Sequence, residues 1–173
     1  NQFFFHHVNA FEPEGIEDAS RVVIDSAPWR YMNFAVNLDT VTPAFYNGGM
    51  RVEYTRFDVD VVKGASAQES LSNRVMEFPS INHKNTGKPY RFTYCAGSAV
   101  KDDVKWGPNQ CLIKFDTDTK VGAKSDEEVY YFGERTFLQE PIFAAKPGGE
   151  DEDDGYVLIV ANHAGEDLCI LHI

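Results

Sequence analysis

The 173-residue sequence lacks most of the features that mark specialised classes of protein. It has no apolar run of the roughly 18 residues that a membrane-spanning helix needs. Basic residues number 16 against 27 acidic ones, so the net charge is −11, and an acidic chain without a basic stripe binds nucleic acid poorly. Glycine-rich phosphate loops, the G-x-S-x-G elbow and the HExxH motif are also absent. We therefore expect no nucleic-acid partner and no site of these motif-defined kinds.

Cysteine is scarce, and its spacing suggests no pairing. Cys95, Cys111 and Cys169 are odd in number and form no CxxC pair, which argues against a zinc site or a redox motif. Each lies in an apolar stretch, so the sequence predicts three buried free thiols. Free thiols favour a reducing compartment, and we expect a cytoplasmic location.

The residues that are present predict a folded all-β domain. Hydrophobic residues make up 43% of the chain and aromatic residues 13%, which is too apolar for a disordered chain. About ten short strands are expected, at residues 3–10, 21–25, 51–62, 75–81, 90–96, 111–116, 128–133, 141–145, 156–161 and 167–172. Their spacing is typical of a meander, a sandwich or propeller blades. We expect irregular structure at 29–46, a loop at 63–73 and a solvated turn at the acidic run 150–154.

Two neighbouring histidines are the first candidates for chemistry. His6 and His7 follow three phenylalanines in a predicted strand, so they point to opposite faces and one must face the buried side. A buried imidazole needs a partner for its second nitrogen. The residues alone leave two interpretations open, a core histidine bonded to backbone and a metal ligand held by a carboxylate. His83, His163 and His172 lack such a setting.

Two glutamates share an unusual setting. Glu77 and Glu140 lie among apolar residues, directly before an aromatic residue and a proline respectively. A buried carboxylate without a partner is costly, so each either lies at a solvated rim or pairs with a buried histidine. From the residues alone we predict a β-rich domain, and whether it carries half of a metal site stays open.

Four sequence blocks, in order, resemble the carotenoid cleavage oxygenase family. The first is FHHVNAFE at 5–12, similar to the family signature F-H-H-x-N-A-[YFW]-E. The second is EFPSIN at 77–82 followed by GKPYRFTY at 87–94. The third comprises EPIF at 140–143, KPG at 146–148 and EDDGY at 152–156, and the fourth is the closing strand DLCIL at 167–171.

This resemblance implies part of a seven-bladed β-propeller. Residues 1–173 would supply about two to three and a half blades with loop segments of the dome, and would lack the N-terminal half and the extreme C-terminus. In the family, four histidines hold Fe(II) on the propeller axis, and glutamates hydrogen-bond three of them. The resemblance makes His6 an iron ligand, Glu77 the partner of His6, Glu140 the partner of the last ligand histidine, and His7 structural.

The implied activity is oxidative cleavage of an alkene. Fe(II) and dioxygen would convert a carotenoid or other apolar polyene into two carbonyl products. The aromatic residues that either line the substrate tunnel or pack in the core are Phe4, Phe11, Trp29 and Tyr31.

Only one of four expected ligands lies in this chain. We therefore expect activity only together with the remaining segments of the propeller, as further sequence or as separate chains. A carotenoid-binding protein without catalysis and a purely structural β-domain are the alternatives. Family members often contact membranes peripherally. The resemblance therefore adds a peripheral membrane location to the expected cytoplasmic one.

Overall fold

The computed structural model describes residues 2–15, 20–29, 52–99, 109–117 and 126–173. Within these ranges the chain is all-β, as predicted, with one short 3-10 turn at His83–Asn85. In the same part of the chain, no helix is long and apolar enough to cross a membrane. Residues 30–46 of the section predicted to be irregular lie outside the described residues, and Tyr31 is among them.

The strands form three four-stranded antiparallel sheets that follow one another along the chain. The first sheet contains, in spatial order, β1 (Phe3–Phe11), β2 (Arg21–Trp29), β3 (Tyr54–Asp60) and β4 (Ala65–Ser72). The second contains β5 (Met76–Ser80), β6 (Phe92–Gly97), β7 (Cys111–Asp116) and β8 (Asp126–Tyr131). The third contains β9 (Thr136–Leu138), β10 (Ile142–Ala145), β11 (Gly155–His163) and β12 (Leu168–His172), with β9 and β10 both paired to β11. The first two sheets are four-stranded meanders, the blade unit of a propeller, whereas in the third β9 and β10 lie end to end along one side of β11.

Strand β4 corrects the loop predicted at 63–73. Its residues lack the apolar alternation that reveals a half-buried strand, because most of its side chains are exposed at the edge of the first sheet. Backbone pairing with β3 defines it, from Asp60 opposite Ala65 to Tyr54 opposite Ser72.

Strand β2 also extends beyond the predicted end at Asp25. The ladder between β2 and β3 ends with Ser26 opposite Thr55. Pro28 lies past that point, opposite Phe4, so its missing N–H interrupts no bond to β3.

Apolar contacts pack each sheet against the next. The core between the first and second sheets comprises Tyr54, Leu71, Met76, Cys95, Cys111, Ile113 and Phe115. The core between the second and third sheets comprises Ala96, Leu138, Ile159 and Ala161, with Phe78, Leu112 and Phe132 at its margin. The second sheet therefore lies between the other two.

A buried polar network also joins the first two sheets. Asp25, fully buried, accepts two bonds from the Arg56 guanidinium, both at 2.8 Å, and one from the Tyr90 hydroxyl at 2.5 Å. The Tyr54 hydroxyl is 2.7 Å from that of Tyr90 and 2.9 Å from Thr93 Oγ1. Burial, reinforced by the nearby Asp25 charge, raises the pKa of Tyr54 far above its usual value, so this phenol stays neutral.

The cysteines are free, and two of them are buried as predicted. Cys95 and Cys111 lie in the core between the first and second sheets, where burial raises the pKa of both thiols. Cys169 is exposed, so the prediction of burial is wrong for this residue. It lies on β12, an edge strand whose neighbouring side chains Leu168, Ile170 and Leu171 are exposed too.

The acidic run at 150–154 is more than the solvated turn predicted for it. The Glu152 carboxylate accepts the backbone N–H of Arg91 at 2.8 Å and that of Phe92 at 2.7 Å, while its backbone oxygen accepts from Asn82 Nδ2 at 2.8 Å. Asp153 Oδ2 lies 2.7 Å from Lys114 Nζ, and this bond lowers the pKa of Asp153. The run therefore ties the third sheet to the second.

Candidate metal centre

Strand β1 presents its two histidines to different surroundings. The pairing of β1 with β2 shifts register between Phe4 and His7 and again between His7 and Asn9, so β1 is irregular on both sides of His7. His6 faces the second sheet, where its Nδ1 lies 2.7 Å from Glu77 Oε2. His7 Nδ1 lies 2.7 Å from Ser26 Oγ on the neighbouring strand instead.

Glu77 is the centre of the hydrogen bonding around His6. Its side chain is only 4% exposed, and besides His6 its Oε2 accepts the backbone N–H of Phe78 at 3.1 Å. Its other oxygen, Oε1, accepts the indole N–H of Trp29. Because a carboxylate can only accept, Nδ1 of His6 carries the proton of their shared bond. In the neutral imidazole, Nε2 is then left with a lone pair for a metal.

The backbone at Phe78 is strained. Phe78 has φ of +58°, a left-handed conformation that costs a residue other than glycine about 1–3 kcal/mol. The pairing of β5 with β6 shifts by one residue between Glu77 and Ser80, and the following Pro79 lies in this bulge. Here the Phe78 N–H points at the Glu77 carboxylate and its ring contacts the edge of His6, with centroids 5.2 Å apart.

Glu140 lies at a second bulge, between β9 and β10. Leu138 pairs with Ala161 and Ile142 with Leu158, so β9 and β10 are one strand interrupted by an extra residue. The Glu140 carboxylate is 66% exposed, and its Oε1 lies 3.7 Å from His6 Nε2. The structure thus brings Glu140 to the free nitrogen of His6. Its predicted role beside another ligand histidine stays a prediction.

Asn9 is a structural residue whose role the sequence did not indicate. Its Nδ2 donates to the backbone oxygens of Asn85 and Lys88, both at 3.0 Å, and its Oδ1 accepts from Gly87 N at 3.0 Å. The side chain thereby fastens the segment after β5 to β1. The sequence shows no sign of these bonds apart from the place of Asn9 three residues after His6. The partners of its side chain lie more than 70 residues away.

The predicted tunnel residues lie in different surroundings. Phe4 stacks on His7 at 5.2 Å and lines an open cavity of about 370 Å³ on the face of the first sheet away from Glu77. Phe11 packs edge-on against Tyr90 at 5.8 Å. Trp29 is 3% exposed. A tunnel role for these residues stays a prediction.

Within the described residues, no group of three or more histidine, cysteine or acidic side chains could hold a metal ion. The donor that fits is His6 Nε2, on an imidazole 36% exposed and oriented by a buried carboxylate. His163 and His172 lie near each other in the third sheet, with ring centroids 5.8 Å apart. The described residues of this centre can therefore supply one oriented imidazole to a metal ion.

The whole chain, residues 1–173, matches the family model described as Retinal pigment epithelial membrane protein. The chain belongs to this family. It is 29% identical over 164 residues to the apocarotenoid-15,15'-oxygenase of Synechocystis sp., an alignment that covers 90% of this chain and 29% of that protein. It is 27% identical to the β,β-carotene 15,15'-dioxygenase of Rattus norvegicus, covering 89% of this chain and 30% of the relative.

Solved structures of the family share the fold. The chain superposes on a crystal structure of cobalt-substituted Synechocystis ACO with a TM-score of 0.83 and 27% identity, covering 98% of this chain and 33% of that one. An ACO/RPE65 chimera gives a TM-score of 0.83 at 26% identity with the same coverage. These matches confirm the predicted family and partial propeller, with the three sheets as blades. The chain spans about a third of the length of these relatives.

Proposed function

We propose that this chain is part of a non-haem Fe(II) dioxygenase that cleaves an alkene of a carotenoid or apocarotenoid into two carbonyl products. The observation that carries the proposal is the oriented imidazole of His6, with Nδ1 held by the buried Glu77 and Nε2 left for a metal. Family membership supports the substrate class, since relatives are named as apocarotenoid, carotene and torulene oxygenases.

His6 would hold the iron through Nε2, and the remaining imidazole ligands would come from other segments of the propeller. Bound iron would supply the site at which dioxygen and the polyene meet. The chain's own contribution is rigid placement, because the bonds from His6, Phe78 and Trp29 converge on one carboxylate. Glu140, beside Nε2, adds a negative charge next to the metal position.

Product analysis under ¹⁸O₂ tests the proposed activity. The complete polypeptide is supplied with an apocarotenoid, the products are separated, and their masses are measured by mass spectrometry. The proposal predicts two carbonyl products, each with one labelled oxygen. Recovery of intact pigment bound to an iron-free protein would overturn the proposal and favour a carotenoid carrier.

A further inference from the structure

We infer that Trp29 is a positioning residue for the metal centre and acts through Glu77. The inference rests on the proposed function and adds a residue to it. The Trp29 indole N–H donates to Glu77 Oε1, while Oε2 of the same carboxylate lies 2.7 Å from His6 Nδ1. One buried carboxylate of the second sheet therefore links the indole and the imidazole of the first sheet.

The two oxygens of the Glu77 carboxylate have different donors, and the indole is the donor to Oε1. Glu77 is buried, so an oxygen without a donor would be left unsatisfied, and the carboxylate would rotate to find one. Two other donors of the described residues, His6 Nδ1 and the Phe78 N–H, are bonded to Oε2. The indole donates to Oε1 and so fixes the plane of the carboxylate. A fixed carboxylate in turn keeps the proton of His6 on Nδ1 and the lone pair on Nε2.

The backbone and side-chain contacts of Trp29 make it a rigid donor. It is the last residue of β2, pairs with Phe3 on β1 and forms a bridge with Val52. Its ring packs with Ala27, Val52 and Val75 and meets Phe5 edge-on at 5.6 Å. These contacts hold the indole in place whatever the state of Glu77, as a positioning group requires.

The test replaces the donor without changing the shape of the side chain. β-(3-Benzothienyl)alanine at position 29 substitutes sulfur for the indole N–H, and Trp29→Phe provides a second variant. The tautomer of His6 is read by ¹⁵N NMR in the complete protein without metal. We expect the wild type to keep the proton on Nδ1, and both variants to move a measurable fraction of it to Nε2. The signals of His7, bonded to Ser26, serve as the internal control and should not move.

A second measurement uses the complete protein and Co²⁺ as the probe. Loss of the indole donor should weaken Co²⁺ binding about tenfold, the lower end of the range for groups that orient metal ligands. Combined with Glu77→Gln, it should add little further loss, because both changes act through one carboxylate. An unchanged His6 tautomer together with unchanged Co²⁺ affinity would overturn the inference. If the wild type binds no metal, the proposed function fails, whereas the tautomer measurement still decides the role of Trp29.

Discussion

At the scale of single residues, two buried carboxylates are stabilised in different ways. Asp25 has the Arg56 guanidinium as its counter-charge, whereas Glu77 is held by an imidazole, an indole and a backbone N–H. The ion pair of Asp25 with Arg56 stabilises the fold. A carboxylate bound to an imidazole whose other nitrogen is free suits the orientation of a metal ligand. The contrast separates the structural network from the proposed iron site.

The substitution Asp25→Asn should destabilise the fold strongly. It leaves Arg56 without its counter-charge in a buried network, and breaking such a pair costs about 3–5 kcal/mol. The free energy of unfolding from urea titration measures the loss. Asp58→Asn is the matched control, because Asp58 pairs with Arg21 at the surface and such pairs contribute about 0–1 kcal/mol. Equal losses in the two variants would refute the distinction.

The bond between Asp153 and Lys114 should make stability depend on acid pH. The hydrogen bond from Lys114 lowers the pKa of Asp153 in the folded chain. Its contribution is therefore present above the unfolded pKa of about 4 and is lost as pH falls through the folded pKa. Lys114→Met should lower the free energy of unfolding at pH 7. It should also make the loss of stability below about pH 4 less steep. Urea titrations between pH 2 and 7 measure this, and a slope identical to the wild type would contradict it.

The pairing of His6 with Glu77 follows from the family resemblance of two short motifs. The bond from Trp29 to Glu77 could not be read from the sequence, because it spans 48 residues and depends on how β2 packs beside β5. The exposure of Cys169 was missed for a similar reason. An apolar sequence does not reveal which strand forms the edge of a sheet.

At the scale of elements, the start of β11 depends on a glycine. A Cβ at Gly155 would lie 2.5 Å from Phe143 Cζ and 2.6 Å from the Ala144 backbone oxygen, on the paired strand β10. Since the backbone oxygen cannot move without disturbing that pairing, this position accepts no side chain without a local shift.

Gly155→Ala should therefore lower the free energy of unfolding by about 1–3 kcal/mol, the usual cost of overpacking. Gly165→Ala is the control, because the nearest atom to its added Cβ is the end of the Arg135 side chain at 4.0 Å. Thermal unfolding of the two variants measures the difference. Equal stability of both variants would show that the contact at Gly155 relaxes freely.

The ten predicted strands correspond to strands of the structure, and their signal in the sequence is their apolar and aromatic content, whether that surface is buried, as in β7, or exposed, as in β12. Strand β4 was missed because an exposed edge strand needs no apolar alternation. Strand β9 was missed because three residues are too few to show a period. The acidic run 150–154 reads as a solvated turn, yet Glu152 accepts the backbone N–H groups of Arg91 and Phe92. Hydrogen bonds of this kind between distant segments leave no local sequence pattern.

At the scale of the whole molecule, the centre draws on all three sheets. His6 lies on β1, Glu77 on β5 and Glu140 in the bulge between β9 and β10, the first strand positions of three consecutive sheets. This placement is what a propeller with its functional centre at the inner strands requires. The chain covers about a third of its relatives, so the proposed iron site needs donors from further segments.

The iron content of the complete protein, measured by inductively coupled plasma mass spectrometry, tests the proposed metal centre most directly. The wild type should contain close to one iron per chain, and His6→Ala should lose most of it. The neighbouring variant His7→Ala should keep its iron, because His7 is bonded to Ser26 on the other side of β1. Full iron content in a folded His6→Ala variant would contradict the assignment of His6 as a ligand, and with it the proposed iron site.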